Sequence, residues 1–190
     1  MTKQLILASQ SPRRQEMLRN LNIPFTISTK QIDESIVTTN NPTEKVLQLA
    51  SLKGESIPLA KDEVVLAADT VVAFQGEIFG KPTCKQEAYE MISTLSGHMH
   101  EVFTGVSLRS HEKEVSFVER TEITWWSLTD EIINWYINTP EPYDKAGAYG
   151  IQNLGAVLVK EIRGDYFNVV GLPISRVVRK LSHFGINAFK

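Results

Sequence analysis

Apolar positions along the chain fall into short continuous runs and helix-spaced stripes, separated by polar caps and turns. Leu5-Ile6-Leu7-Ala8 is wholly apolar and stops at a polar turn, which predicts a short buried strand. Ser11-Pro12 follows as N-cap and first helical position, and Met17, Leu18 and Leu21 supply the stripe of the helix it opens. Phe25 to Ser28 reads as a second strand. Asn41-Pro42-Thr43-Glu44 repeats the cap pattern, with Glu44 placed to return a capping-box bond, and this helix carries Val46, Leu47, Ala50 and Ile57. Val64 to Phe74 has strand character interrupted by Asp69-Thr70, and Gln75-Gly76-Glu77 turns it into Ile78-Phe79 as a hairpin. Thr83 with Gln86 is placed to cap a helix through Leu95, ended by Ser96-Gly97. Two strands near 100–109 and 114–126 flank the polar turn Ser110-His111-Glu112-Lys113. A helix begins at Thr129-Asp130-Glu131 and is stopped by Pro140 and Pro142. Gly155 to Arg163 reads as a strand, Tyr166 to Val170 as its partner, and Pro173 opens a final helix toward Phe184. The pattern is mixed α/β with several antiparallel pairs, without an internal repeat and without regular βαβ alternation.

A length of 190 residues suits one domain, or two closely joined lobes. With 42% apolar and 22% charged residues the chain can bury a substantial core, which argues against a disordered or fibrous protein. Twenty Lys and Arg stand against 22 Asp and Glu, a formal charge of −2, so a general polyanion-binding surface is not expected. A local phosphate site remains open, because it needs only a few cations. One cysteine, Cys84, excludes an intramolecular disulfide and a multi-cysteine zinc site, and fits a reducing compartment. The longest apolar run, Val64 to Ala68, is too short to span a membrane, and the N-terminal stretch Met1 to Ala8 lacks the apolar core of a signal peptide. A soluble cytoplasmic protein is the expectation.

Four segments carry candidate chemistry. Ser9-Gln10-Ser11-Pro12-Arg13-Arg14 lies between a strand and a helix N-terminus, where free amides, two hydroxyls and two guanidinium groups suit an anion; the same residues also make an ordinary Ser-Pro cap with solvated arginines. Asp69-Thr70 places a carboxylate where an apolar strand turns polar, next to a cation, a metal or water, or as a turn cap. Asp33-Glu34 offers a further acidic pair that suits Mg²⁺ if it joins Asp69, and is otherwise a solvated loop. Gly80-Lys81-Pro82 presents a point charge on a stiff turn, and Lys53 lies mid-helix. In Asp144 to Gln152, two glycines and two alanines make a wall that backbone can line, and the Gln152 amide has the donor and acceptor needed to read a base edge; small-residue packing explains the same pattern. His98 and His100 have no further His or Cys nearby for zinc, Cys84 has no adjacent histidine and reads as filler near a helix start, and Trp125-Trp126 reads as one core and one partly exposed ring. There is no Walker A loop and no dinucleotide-binding glycine fingerprint.

Taken together and in order, these segments resemble the Maf-like nucleoside triphosphate pyrophosphatases. The match is collinear: Ser9 to Arg14, Ile32-Asp33-Glu34, Leu49-Ala50 with Lys53, Ala68-Asp69-Thr70, Gly80-Lys81-Pro82 and Leu95-Ser96-Gly97 with His100. It continues through Thr104-Gly105-Val106, Asp144 to Gln152, Gly164-Asp165-Tyr166 and Gly171-Leu172-Pro173. Arg13, Thr70 and Gln152 are similar to the subgroup acting on dTTP and UTP rather than on 7-methyl-GTP; Gly54 and Ala67 depart from the commoner alanine and glycine. The resemblance implies a single Maf-like domain over 1–190. Its implied fold is an elongated central mixed sheet flanked by helices, with a cleft between two lobes, as in inosine triphosphatases. It further implies Mg²⁺ or Mn²⁺ dependence, a cytoplasmic location, a frequent homodimer and a link to septum formation, while the balanced charge and short apolar runs leave no nucleic-acid or membrane partner expected. The expected reaction is hydrolysis between the α- and β-phosphates. Asp69, Lys53 and Lys81 are the expected catalytic groups and Glu34 with Asp69 the metal ligands. Ser9, Ser11, Arg13, Arg14, Thr70 and Gln152 are the expected substrate contacts. A noncatalytic nucleotide-binding regulator of cell division is the alternative.

Overall fold

The first strand, β1 (Gln4–Leu7), pairs in parallel with both β2 (Phe25–Ile27) and β3 (Glu63–Phe74). Its two-residue alternation sorts the side chains: Ile6 and Ala8 share one apolar cluster with Val65, Ala67 and Ile57, beside Leu59. This is a computed structural model, and it describes residues 3–188; Met1 and Thr2, at the head of the N-terminal stretch read for a leader, lie outside the described residues. Helix α1 (Pro12–Asn20) buries Met17 and Leu18 as expected. Leu21 is 41% exposed, because the helix ends at Asn20 before its stripe completes another turn. Helix α2 (Pro42–Glu55) is capped by Asn41 Oδ1, which accepts from the Thr43 and Glu44 amides at 3.0 and 3.2 Å. The expected return bond from Glu44 is relayed. Thr39 Oγ1 donates to Glu44 Oε2 at 2.8 Å and accepts from the Asn41 amide at 3.2 Å. The helix buries Val46, Leu49, Ala50 and Gly54, and Ile57 is buried just beyond its end.

Strand β3 runs unbroken for 12 residues, so Asp69-Thr70 do not interrupt it. At its end Gln75 and Gly76, with φ of 50° and 85°, form the turn into β4 (Glu77–Phe79). Helix α3 (Lys85–Leu95) has Cys84 rather than Thr83 at its N-cap position, and Cys84 is exposed instead of filling space. Thr83 instead donates its amide and hydroxyl to Glu87 Oε2, each at 2.7 Å. Strands β5 (Met99–Arg109) and β6 (Glu114–Trp125) lie where expected, as does α4 (Asp130–Ile137), capped by Thr129.

The C-terminal third departs from expectation. Asn153–Leu158 is a 3₁₀ segment, β7 is only Val159–Arg163, and its antiparallel partner is β6. Tyr166–Val170 is a short helix, α5, not a strand; Asn168 is buried there and donates to the Val102 carbonyl and Thr121 Oγ1 at 3.0 and 2.9 Å. A buried amide serving a neighbouring strand is a contact that local pattern does not encode. Helix α6 (Ile174–Ser182), opened by Pro173 as expected, is the last element.

The strands form one seven-stranded mixed sheet in the order β2-β1-β3-β5-β6-β7, with β4 also on β3. The chain divides into two compact units. The first comprises residues up to Asp69, Thr104–Glu119 and Gly171 onward; the second comprises Thr70–Phe103 and Arg120–Val170. In the second unit Trp125 and Tyr136, 1% and 0% exposed, are the largest core side chains, and α3 packs on α4. Trp126 is 52% exposed, so the Trp125-Trp126 pair does split between core and surface. No helix among the described residues is long and apolar enough to cross a membrane.

Candidate active site

In the first unit three carboxylate- and cation-bearing elements converge on Lys53. Glu34 opens a 3₁₀ turn (Glu34–Ile36), Lys53 lies in the last turn of α2, and Asp69 lies midway along β3. Lys53 Nζ is 2.5 Å from Asp69 Oδ1 and 2.9 Å from Glu34 Oε1, with Lys53 and Asp69 largely covered and Glu34 open to water. Asp69 is therefore neither a turn cap nor an unpaired charge. Asp33 does not join the cluster: its Oδ1 accepts from the Ser35 amide and hydroxyl at 3.0 and 2.5 Å, which holds its carboxyl below the usual range.

The Ser9-to-Arg14 segment sits where β1 gives way to α1. Ser9 is buried, and its Oγ accepts from the Ser11 amide at 3.2 Å and from Arg14 Nη1 at 3.3 Å. Both lone pairs are thus engaged within the protein. Ser11 takes the N-cap position of α1, but its hydroxyl makes no capping bond. Arg14 serves the protein's own backbone: Nη1 donates to the Ala68 carbonyl at 2.8 Å and Nε to the Gly171 carbonyl at 2.7 Å. Burial draws its guanidinium down to about 10, opposed by the attraction of Asp69 and assisted by the repulsion of Arg13. It stays charged at neutral pH. Arg13 is half-buried at the same helix start.

Thr70, Lys81 and Gln152 belong to the second unit. Thr70 is half-buried directly after Asp69. Lys81 is exposed between Gly80 and the buried Pro82, and makes no hydrogen bond or ion pair among the described residues. The Gly80 carbonyl accepts from the Gly147 amide at 2.9 Å, which joins the Gly-Lys-Pro turn to the segment ending in Gln152. Gln152 is half-buried, and its amide has no hydrogen-bond partner among the described residues.

Sequence reasoning missed a buried ring cluster here. His100 Nε2 meets Tyr149 Oη at 2.7 Å, and both rings stand edge-on to Trp125. Burial lowers His100 to about 4 and raises the Tyr149 phenol well above its usual range, so both are neutral at pH 7. The sequence signal was present as a histidine on a strand and a tyrosine among small residues, but nothing local pairs them.

Comparison with known proteins agrees with this architecture. The Staphylococcus aureus Ham1 protein superposes with a TM-score of 0.50 at 12% identity, covering 83% of this chain and 80% of that one. That likeness places the chain in a class of α/β proteins sharing the Ham1 fold. The family model for Maf-like proteins matches residues 4–184, and the chain belongs to that family. Among its relatives, the dTTP/UTP pyrophosphatase of Halalkalibacterium halodurans is 53% identical over 186 residues, covering 97% of this chain and 98% of that protein. The dTTP/UTP pyrophosphatase of Bacillus cytotoxicus is 50% identical over 187 residues, covering 98% of each.

Proposed function

We propose that this protein is a nucleoside triphosphate pyrophosphatase that hydrolyses dTTP and UTP to the monophosphate and pyrophosphate. The observation that carries the reading is full-length identity of about half to dTTP/UTP pyrophosphatases, joined to a cluster in which one lysine holds two carboxylates.

Asp69 accepts the proton of the attacking water, while the bond from Lys53 fixes its orientation. The water oxygen forms the new bond to the α-phosphorus, the bond to the bridging oxygen breaks, and pyrophosphate leaves with that oxygen. Ser9 donates its hydroxyl proton to a phosphate oxygen, and the amides after Ser11 and the Arg13 guanidinium bind further ones. Lys81 supplies positive charge against the charge growing on the leaving group. Gln152, with Thr70, selects the pyrimidine.

The donor set fits a hard divalent cation. Two carboxylates, those of Glu34 and Asp69, meet on one ammonium. That suits an ion which completes its shell with phosphate oxygens and water. Glu34 and Asp69 are the residues that would hold Mg²⁺ or Mn²⁺, which when bound neutralises phosphate charge and acidifies water.

The test is turnover of a panel of ribo- and deoxynucleoside triphosphates with Mg²⁺ or Mn²⁺, with products separated by ion exchange. TMP and UMP with pyrophosphate, absent in Asp69→Asn, are expected. Tight binding of dTTP without turnover would overturn the enzyme reading and leave a nucleotide-binding regulator.

A further inference from the structure

Gln152 stands in a stretch of backbone bracketed by two left-handed residues. Ala148 and Asn153 have positive φ, 60° and 52°. For Ala148 this costs free energy unless the surroundings impose it, whereas asparagine adopts it readily. Between them the chain must deliver the Gln152 amide to one place, because distinguishing one pyrimidine edge from another needs donors and acceptors set to within about 0.5 Å.

Glu141, the first residue of the 3₁₀ turn after α4, holds the main chain on both sides of Gln152. Its Oε1 accepts from the Leu154 amide at 3.1 Å, and its Oε2 from the Gly155 amide at 3.2 Å and the Tyr136 hydroxyl at 3.3 Å. Tyr136 Oη accepts in turn from the Gly150 amide at 3.1 Å. One carboxylate and one phenol therefore grip the main chain two residues before Gln152 and again two and three residues after it. Tyr136 is fully buried, so its hydroxyl has no water to exchange for these partners. Position 155 admits no side chain: a Cβ there would lie 1.9 Å from the Gly150 carbonyl oxygen. The two ends of the strap thus touch backbone to backbone, with Glu141 closing the loop.

We propose that Glu141 is the positioning residue for base selection: through its own oxygens and the Tyr136 hydroxyl it fixes residues 150–155, and with them the Gln152 amide. This rests on the assignment of Gln152 as the reader of the base. Glu141 touches no substrate atom; it acts through Gln152, so its removal changes preference rather than chemistry.

The experiment is a double-mutant cycle on the full chain, reading kcat/KM for dTTP against dCTP in wild type, Gln152→Ala, Glu141→Gln and the double variant. Glu141→Gln keeps the volume but turns an amide N–H toward a backbone donor, undoing part of the grip. The expected result is a dTTP-over-dCTP ratio lowered about tenfold in each single variant, with no further fall in the double. Tyr136→Phe, which leaves both Glu141 amide bonds in place, should move the ratio the same way by less, and covers the case in which Glu141→Gln fails to fold. Equal loss on both nucleotides, or additive effects in the double variant, would overturn the proposal and leave Glu141 a structural brace. An unchanged ratio in Gln152→Ala would remove the base reader itself, and the proposal would fall with it.

Discussion

Lys53 Nζ lies 2.5 Å from Asp69 Oδ1 and 2.9 Å from Glu34 Oε1, so one ammonium from a helix joins a strand carboxylate to a loop carboxylate. The pair with Asp69 is largely shielded from water, where a charge-assisted bond is about twice as strong as a neutral one. If Asp69 takes the water's proton, Asp69→Asn should lower kcat by about 10²–10⁴-fold while the melting temperature stays near that of wild type. Steady-state kinetics beside a thermal melt checks both, and near-wild-type turnover would take Asp69 out of the mechanism.

Arg14 ties the start of α1 to the carbonyl of Ala68, the residue immediately before Asp69, and to Gly171. With Ser9 Oγ these make three acceptors in different directions, which need a planar fork that an ammonium does not provide. Arg14→Lys should keep the charge yet lose at least one of these bonds. We expect a loss of about 1–3 kcal/mol by urea denaturation, with kcat falling and KM for dTTP changing little. A raised KM at constant kcat would show Arg14 binding phosphate instead.

Two glycines of the first unit predict opposite outcomes. At Gly54 in α2 a Cβ would sit 3.5 Å from Ala67 Cβ and Ser107 Oγ, an ordinary contact, so Gly54→Ala should stabilise the protein by about 0.5–1 kcal/mol. At Gly105 in β5 a Cβ would lie 2.3 Å from the Val46 carbonyl oxygen, against backbone that cannot step aside. Gly105→Ala should therefore cost about 1–3 kcal/mol through overpacking, and thermal melts of the two variants should move in opposite directions.

Burial holds His100 at about 4 against an ordinary 6.5. Between those values the unfolded chain carries a proton that the folded chain refuses, so stability falls as pH drops from about 6.5 toward 4, at up to about 1.4 kcal/mol per pH unit. Above that window the residue contributes no pH dependence. Urea denaturation from pH 4 to 7 should show this slope and find it reduced in His100→Asn; equal slopes would place the dependence elsewhere.

The elements that periodicity marks clearly formed where expected: the first strand, the two Pro-initiated helices after it, the Gln75-Gly76 hairpin and the long pair β5 and β6. Each is specified by residues a few positions apart. The failures share a cause. Tyr166–Val170 has strand composition but is helical, and its Asn168 side chain serves Val102 and Thr121, more than 45 residues away. Asp69 looked like a strand breaker because its partner, Lys53, lies on another element.

Local order determined most of the inventory of this protein: the helices and strands outside residues 153–170, which residues carry charge, and the ordered motifs by which it resembles the Maf-like family. Cap, turn and stripe chemistry acts over three or four residues, and the chain spells that out directly. Only the tertiary structure decided how the inventory is used. It put Glu34 on Lys53 while turning Asp33 onto its own loop, gave Arg14 to backbone carbonyls, buried His100 against Tyr149, and set Glu141 to hold both sides of Gln152. These choices depend on which distant donors and acceptors are carried out of water together. A buried polar group must take whatever partner the packing brings within 3 Å, and no local pattern names that partner in advance.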